Sequence, residues 1–387
     1  MATPLLGGLS PAQFMRRYWQ KKPLLIRQAW PGVQPPVDRA GLFALAQHED
    51  VESRLIVQTT PKTLATKGKA AKGKEAAGWK LRHGPFASRR ALPAFTQPGW
   101  TLLVQGLDLH VPAAHEMMSR FRFVPDARLD DLMMSYATDG GGVGPHYDSY
   151  DVFLLQVQGR RRWRIGPLKN TELQPDVPLK ILSRFEPEEE WVLEPGDMLY
   201  LPPRWAHDGV AEGECMTCSI GFRVPEEAEL AREVLLRWVE NLANDARPRL
   251  YRDPGQPATA SPGAIPAALQ GFAEAAVREA MQDQAGWMSA LGEVLSEPKP
   301  RVWFDAGLPL PDGVGVRLDP KTRMLYDEHC VYANGESWRA AGKDARQLRA
   351  LADGRRLSAG DVAKASTALR ALLDQWAEDG WLHPDAG

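Results

Sequence analysis

The densest set of chemically capable residues lies between positions 140 and 207. The segment GGGVGPHYDSYDVFLLQVQGRRRWRIG places His146 and Asp148 two positions apart. On an extended strand, positions i and i+2 face the same way. That spacing sets an imidazole beside a carboxylate. A second segment, EPGDMLYLPPRWAH, ends in His207. Within it Pro195-Gly196-Asp197 reads as a turn, residues 198–201 as a buried strand, and Pro202-Pro203 as its stop. A histidine delivered there completes two imidazoles and one carboxylate. Such a facial set leaves coordination positions open and suits non-haem iron(II) working with dioxygen. Taken singly, Asp148 also fits a turn former and His207 a loop histidine; the combination is what points to a metal.

The run RRRWRI supplies a further group. It follows a turn read at Gln158-Gly159. Strand alternation puts Arg160, Arg162 and Arg164 on one face and Arg161, Trp163 and Ile165 on the other. Trp163 and Ile165 belong inside, so Arg161 goes in with them. A buried guanidinium is costly unless paired. Either an acid elsewhere in the chain answers it, or a dicarboxylate ligand does, because arginine grips carboxylates bidentately.

These groups need a frame of strands. Short runs rich in Val, Ile, Leu, Tyr and Phe, separated by Gly and Pro turns, are read at 132–137, 151–158, 161–165, 191–193, 198–201 and 216–224. The pattern predicts a β barrel or sandwich over about residues 100–225. Upstream, Ser10-Pro11 heads a short helix. Residues 62–80, KTLATKGKAAKGKEAAGWK, have few core formers and read as a mobile surface loop. The same loop, being basic, could touch RNA or an acidic partner. Residues 226–300 read as helices, with Leu230, Val234, Leu235, Val239 and Leu242 at helical spacing. Residues 301–387 read as a small α+β unit with strand-like VGVRLD and RMLYDEHCVYAN and helices at 345–352 and 363–376.

Bulk composition excludes several classes. With 47 basic and 49 acidic residues in 387, net charge gives no reason to expect broad nucleic-acid binding. No run reaches ~18 apolar residues, so no membrane span is predicted. Three cysteines, Cys215, Cys218 and Cys330, argue against a disulfide framework and for a reducing, cytoplasmic setting. Cys215 and Cys218 form a lone CxxC without a second pair, and residues three apart on a strand face opposite ways, so both read as structural. The Gly-rich GGGVGP lacks the Gly-Lys-Ser/Thr of a phosphate loop. His48, His83, His110, His115, His329 and His383 have no ligand spacing and read as ordinary polar residues.

The stretch from Asp130 through Arg164, the EPGDMLYLPPRWAH segment and GFRVP resemble the Jumonji-C oxygenases. Within these they look most like the bacterial RoxA-type ribosomal oxygenases (YcfD group), which hydroxylate an arginine of a ribosomal protein. The resemblance implies an α+β chain: a double-stranded β-helix (cupin-like) catalytic core within residues 1–225, a helical dimerisation module at 226–300, and a winged-helix-like domain at 301–387. It implies Fe(II) held by His146, Asp148 and His207, with 2-oxoglutarate and dioxygen as co-substrates. It implies that Arg161, helped by Ser135, binds the far carboxylate of 2-oxoglutarate. Asp131, Met133 and Tyr150, joined by Ser219, would hold the target side chain. Parity adds that Asp131, Met133 and Ser135 share a strand face, and that Tyr150 shares one with His146 and Asp148 if that strand stays regular. Met133 and Tyr150 also fit plain core roles. The implied partners are a ribosomal protein, large-subunit protein sixteen, and a second copy of the chain. The readings left open are a histidine-hydroxylating branch, an N-methyl demethylase, and a cupin that binds metal without redox chemistry.

Overall fold

The computed structural model describes residues 4–59, 78–245 and 249–385. The chain divides into two compact units, Met1–Val224 and Pro225–Gly387. Most of the basic stretch expected as a surface loop, residues 62–77, lies outside the described residues.

The first unit is built on ten strands: β1 (Leu24–Ile26), β2 (Ser53–Thr59), β3 (Gly78–His83), β4 (Trp100–Val104), β5 (Leu129–Ala137), β6 (His146–Tyr147), β7 (Val152–Pro167), β8 (Glu189–Leu193), β9 (Met198–Leu201) and β10 (Trp205–Phe222). Their order is β1-β9-β7-β10-β5-β4-β2-β3, with β6 on β10 and β8 on β7, and every recorded pairing is antiparallel. This is the cupin-type core that the strand pattern and the resemblance predict.

Two strands are longer than the sequence pattern suggests. The expected turn at Gln158-Gly159 is a bend inside the continuous strand β7. Gly159 has φ +64°, and a Cβ there would come within 2.1 Å of the Glu214 carbonyl. Strand β10 bends beside it, where the ladder shifts register between Glu212 and Met216. Below the bend β10 pairs with β5; above it, β10 pairs with β6. The two long strands thus carry both ends of the site on one ladder.

Alternation sorts their residues. On β5, Leu132, Met134 and Tyr136 enter the main core with Phe14, Phe153 and Tyr200, and on β10 Met216, Cys218, Ile220 and Phe222 do the same. The opposite faces are left for Asp131, Met133, Ser135, Thr217 and Ser219. A second apolar cluster holds Val152, Leu154, Trp163, Ile165, Leu193, Leu199 and Leu201. The outward arginines of β7 find acids: Arg162 pairs with Glu190 and Glu212, and Arg164 with Asp208. The expected first helix spans Pro11–Arg17, closed by a reciprocal cap between Ser10 and Gln13.

In the second unit helices run at Glu227–Asp245, Ala267–Ala280 and Gln284–Ser296. Val234 and Trp238 pack with Ala290, joined by Leu230 and Leu242. Of the predicted apolar face, Leu235 and Val239 instead point outward, 54% and 57% exposed. The last region has strands at Gly315–Leu318, Arg356–Leu357 and Leu382–Asp385 in one small sheet and Met324–Tyr326, Cys330–Ala333 and Glu336–Arg339 in another. One helix spans Gly342–Gly354. The helix predicted at 363–376 is two, Ala359–Val362 and Thr367–Glu378. Ser366 caps the second by accepting from Leu369 N at 3.1 Å, so the chain restarts there.

Candidate active site

His146 and His207 face each other across the β6–β10 ladder. Their ring centroids lie 4.2 Å apart. Asp148 stands just beyond the end of β6, where its carbonyl accepts Arg204 N–H at 2.9 Å. Its Oδ2 is 3.5 Å from His207 Nε2. One ligand atom from each of the three lies within 4.8 Å of the others, and no other such cluster exists among the described residues. Asp148 follows the two-residue strand β6 directly and joins His146 on the same side, in the metal cluster.

Both imidazoles are oriented by backbone. His146 Nδ1 meets Gly144 O at 2.9 Å, and His207 Nδ1 meets Trp205 O at 3.0 Å. A carbonyl only accepts, so Nδ1 carries the proton and Nε2 keeps its lone pair for a metal. Burial pushes the His207 pKa down to about 4; His146 adds to the effect, while Asp148 and the Trp205 carbonyl oppose it. The ring is neutral at ordinary pH, as a ligand must be. Gly144 is needed here: it has φ +80°, and a Cβ would approach the Trp79 ring to 2.9 Å.

Arg161 is 4% exposed. Its Nη1 donates to Ser135 Oγ at 3.0 Å and to Thr217 Oγ1 at 3.3 Å. Its Nε–H is buried with no partner. The Arg161 guanidinium sits 5.3 Å from the Trp163 ring. It joins no ion pair among the described residues, and its hydrogen bonds there go to two hydroxyls. Two imidazoles and one carboxylate form a donor set for iron(II). The Arg161 guanidinium keeps a buried Nε–H with no hydrogen-bond partner among the described residues, a donor chemically matched to a carboxylate.

The remaining expected residues gather on the neighbouring faces. Asp131 is 7% exposed, and its Oδ2 accepts Gly106 N–H at 3.1 Å. Met133, half-buried, sits opposite Ser219 across β5–β10. Tyr150 lies past the end of β6, so the regular-strand argument for it fails. The residue is 40% exposed; desolvation raises the phenol pKa, the Asp148 and Asp131 carboxylates raise it further, and Arg54 opposes them. The phenol stays protonated and can donate. Thr217, Gln156 and Arg54 were not singled out from sequence. Thr217 was accessible by parity with Ser219; Gln156 becomes visible only through the β7–β10 register.

Cys215 and Cys218 are buried free thiols, and burial pushes both pKa values up. Neither joins a metal cluster. His383 pairs with Asp319 at 2.8 Å, a surface role.

Two family models match, a JmjC domain over residues 116–230 and a ROXA-like winged helix over residues 279–383. A probable ribosomal oxygenase of Haemophilus influenzae is 31% identical, over 96% of this chain and 96% of that one. The chain belongs to the ribosomal oxygenase family. Another member, the ribosomal protein uL16 3-hydroxylase of Escherichia coli, is 36% identical over 65% of this chain and 62% of its own. The structure of the Escherichia coli ribosomal oxygenase YcfD in complex with cobalt and 2-oxoglutarate superposes with a TM-score of 0.73 at 30% identity, covering 97% of this chain and 98% of that one. The family winged helix begins at residue 279, within the expected helical module, whose last helix packs on Tyr332 through Gly292.

Proposed function

We propose that this chain is an Fe(II)- and 2-oxoglutarate-dependent hydroxylase of an arginine in ribosomal protein uL16. The observation that carries the reading is the pairing of two elements on one ladder: a triad whose ligand atoms lie within 4.8 Å of one another, and a buried arginine that joins no ion pair among the described residues. The relative that acts on uL16 and the relative seen with cobalt and 2-oxoglutarate support the substrate and the cofactor. Iron(II), when bound by His146, Asp148 and His207, supplies the redox chemistry by which dioxygen and 2-oxoglutarate give succinate, CO₂ and one hydroxylated carbon. One oxygen atom enters succinate and the other enters the substrate C–H bond.

The chain's own residues position the reactants. Arg161 and Ser135 hold the far carboxylate of 2-oxoglutarate. Asp131 offers a carboxylate to the target guanidinium by charge-assisted hydrogen bonds. Tyr150 adds a flat face and a hydroxyl donor, and Met133 and Ser219 form the opposite wall. A planar guanidinium gains more from such a slot than an ammonium does.

A second copy is the proposed partner of the second unit. Leu235, Leu236 and Val239 on one helix and Val277 on another are 54–59% exposed, an apolar surface that suits a homodimer built from residues 226–300. No helix among the described residues is long and apolar enough to cross a membrane. The free cysteines and the proposed ribosomal target support a cytoplasmic setting. The basic residues 62–80 would assist docking near RNA.

The test is a panel of uL16-derived peptides carrying arginine, histidine or lysine at the target position. Gain of one oxygen on the arginine peptide, lost in Asp131→Ala, is the expected result. Preferred oxidation of the histidine peptide assigns the chain to a histidine-hydroxylating activity instead, and formaldehyde release from a methylated peptide assigns it to demethylation.

A further inference from the structure

Four side chains below the triad form a closed hydrogen-bond relay. Gln156 Nε2 donates to Gln158 O at 2.8 Å and to Gly159 O at 3.3 Å, at the bend of β7. Thr217 Oγ1 donates to Gln156 Oε1 at 2.8 Å. Arg161 Nη1 donates to Thr217 Oγ1 at 3.3 Å and to Ser135 Oγ at 3.0 Å. All four are almost fully buried: Gln156 0%, Thr217 1%, Ser135 3% and Arg161 4% exposed.

The direction of each bond is fixed. The two backbone carbonyls can only accept, so they hold the Gln156 amide with its NH₂ toward them and its oxygen toward Thr217. A flipped amide would set oxygen against oxygen. Thr217 has one hydroxyl proton, and Gln156 takes it. The threonine oxygen must therefore turn a lone pair to Arg161. Both Nη1 hydrogens are then used, one on Thr217 and one on Ser135. What remains is the Nε–Nη2 edge, and Nε–H has no partner. That edge carries two parallel N–H bonds, the fork that matches a carboxylate.

We infer that Gln156 and Thr217 are positioning residues that select which edge of Arg161 meets the co-substrate, and so set the affinity for its far carboxylate. They act through Arg161 and touch neither metal nor keto acid. The glycine-dependent bend at Gly159 anchors the relay, which links the long-strand geometry to co-substrate recognition. This inference rests on the 2-oxoglutarate reading above.

The test is calorimetric binding to the Mn(II)-loaded protein, which reads affinity without turnover. Two ligands are compared: 2-oxoglutarate and 2-oxopentanoate, which keeps the keto acid and replaces the far carboxylate by a methyl group. Thr217→Val keeps the branched shape and removes the acceptor. Loss of a hydrogen bond to a charged group should weaken 2-oxoglutarate binding about tenfold or more, with 2-oxopentanoate binding unchanged. Thr217→Ser keeps the hydroxyl and should stay within about twofold of wild type for both ligands, since its bond is retained. Equal weakening of both ligands in Thr217→Val means a structural role and overturns the inference, as does no weakening of either. A wild-type protein that binds the two ligands equally removes the far-carboxylate reading itself, and the relay's purpose with it.

Discussion

Replacing Arg161 by methionine separates a ligand-holding arginine from a structural one. The guanidinium is 4% exposed and makes two hydroxyl hydrogen bonds and no ion pair among the described residues. In the ligand-free protein, methionine gives up those two charge-assisted bonds, about 1.5–3 kcal/mol each. It also relieves a buried unpaired charge, whose burial costs several kcal/mol. The two effects offset, so the ligand-free melting temperature should stay near that of the wild type. With 2-oxoglutarate the offset is lost. Truncating one partner of a buried charge pair costs about 2–5 kcal/mol, or about 30-fold to several thousand-fold in KM for 2-oxoglutarate. At a ligand concentration of about 100 times the wild-type Kd, the wild type gains about 2.7 kcal/mol of stability, and a variant weakened a hundredfold gains about 0.4 kcal/mol. Melting scans of the Mn(II)-loaded protein with and without 2-oxoglutarate, beside steady-state KM, read both effects. A variant that melts well below wild type without ligand, yet keeps the full 2-oxoglutarate shift and an unchanged KM, would refute the reasoning.

His146→Ala, Asp148→Ala and His207→Ala should each abolish turnover and weaken metal binding, measured by iron titration; wild-type turnover at saturating iron in any of them removes that residue from the triad. Leu235→Glu with Val239→Glu should convert a dimer to a monomer by light scattering, and a wild-type chain already monomeric at micromolar concentration rejects the dimer. Asp197 ties β1 to the β8–β9 turn: it is 3% exposed and accepts Gln28 N–H at 2.9 Å, Glu194 N–H at 3.1 Å and Arg27 Nη1 at 2.6 Å. Burial alone would raise its pKa, but these donors outweigh it and hold the carboxyl below its ordinary value. Its contribution is therefore complete above the unfolded value near about 4 and is lost as pH falls through the lowered native value. Asp197→Asn should cost about 1–3 kcal/mol in urea unfolding at neutral pH, and the difference from wild type should shrink in acid; a constant difference across that range contradicts the assignment.

Periodicity carried the reading where side chains alternate without interruption. Arg161, Trp163 and Ile165 share the inner face, as RRRWRI requires, and Asp131, Met133 and Ser135 share one face of β5. It failed where backbone geometry breaks the period. Gly159 reads as a turn residue, yet it bends a strand that continues through it. The polar run Glu212-Gly213-Glu214 hid the first half of β10, because Glu212 answers Arg160 and Arg162 and Glu214 answers Arg39, rather than bounding a loop. Tyr150 lies past the two-residue strand β6, so parity was the wrong argument for it, whereas the His146–Asp148 spacing does bring both into the metal cluster. Gln156 was invisible because its partner, Thr217, is 61 positions away, and only the register of β7 on β10 brings them together. Exposed Leu235 and Val239 obey helical spacing as well as buried Val234 does, since solvent-facing and core-facing apolar positions share the same period.

The central claim is tested most directly on intact uL16 from cells lacking this enzyme, incubated with the holoenzyme, Fe(II) and 2-oxoglutarate. The account requires a mass gain of one oxygen atom, located by fragmentation to a single arginine carbon, with one succinate formed per oxygen incorporated. Succinate formation with no oxygenated arginine, or oxygen placed on another residue type, would contradict it.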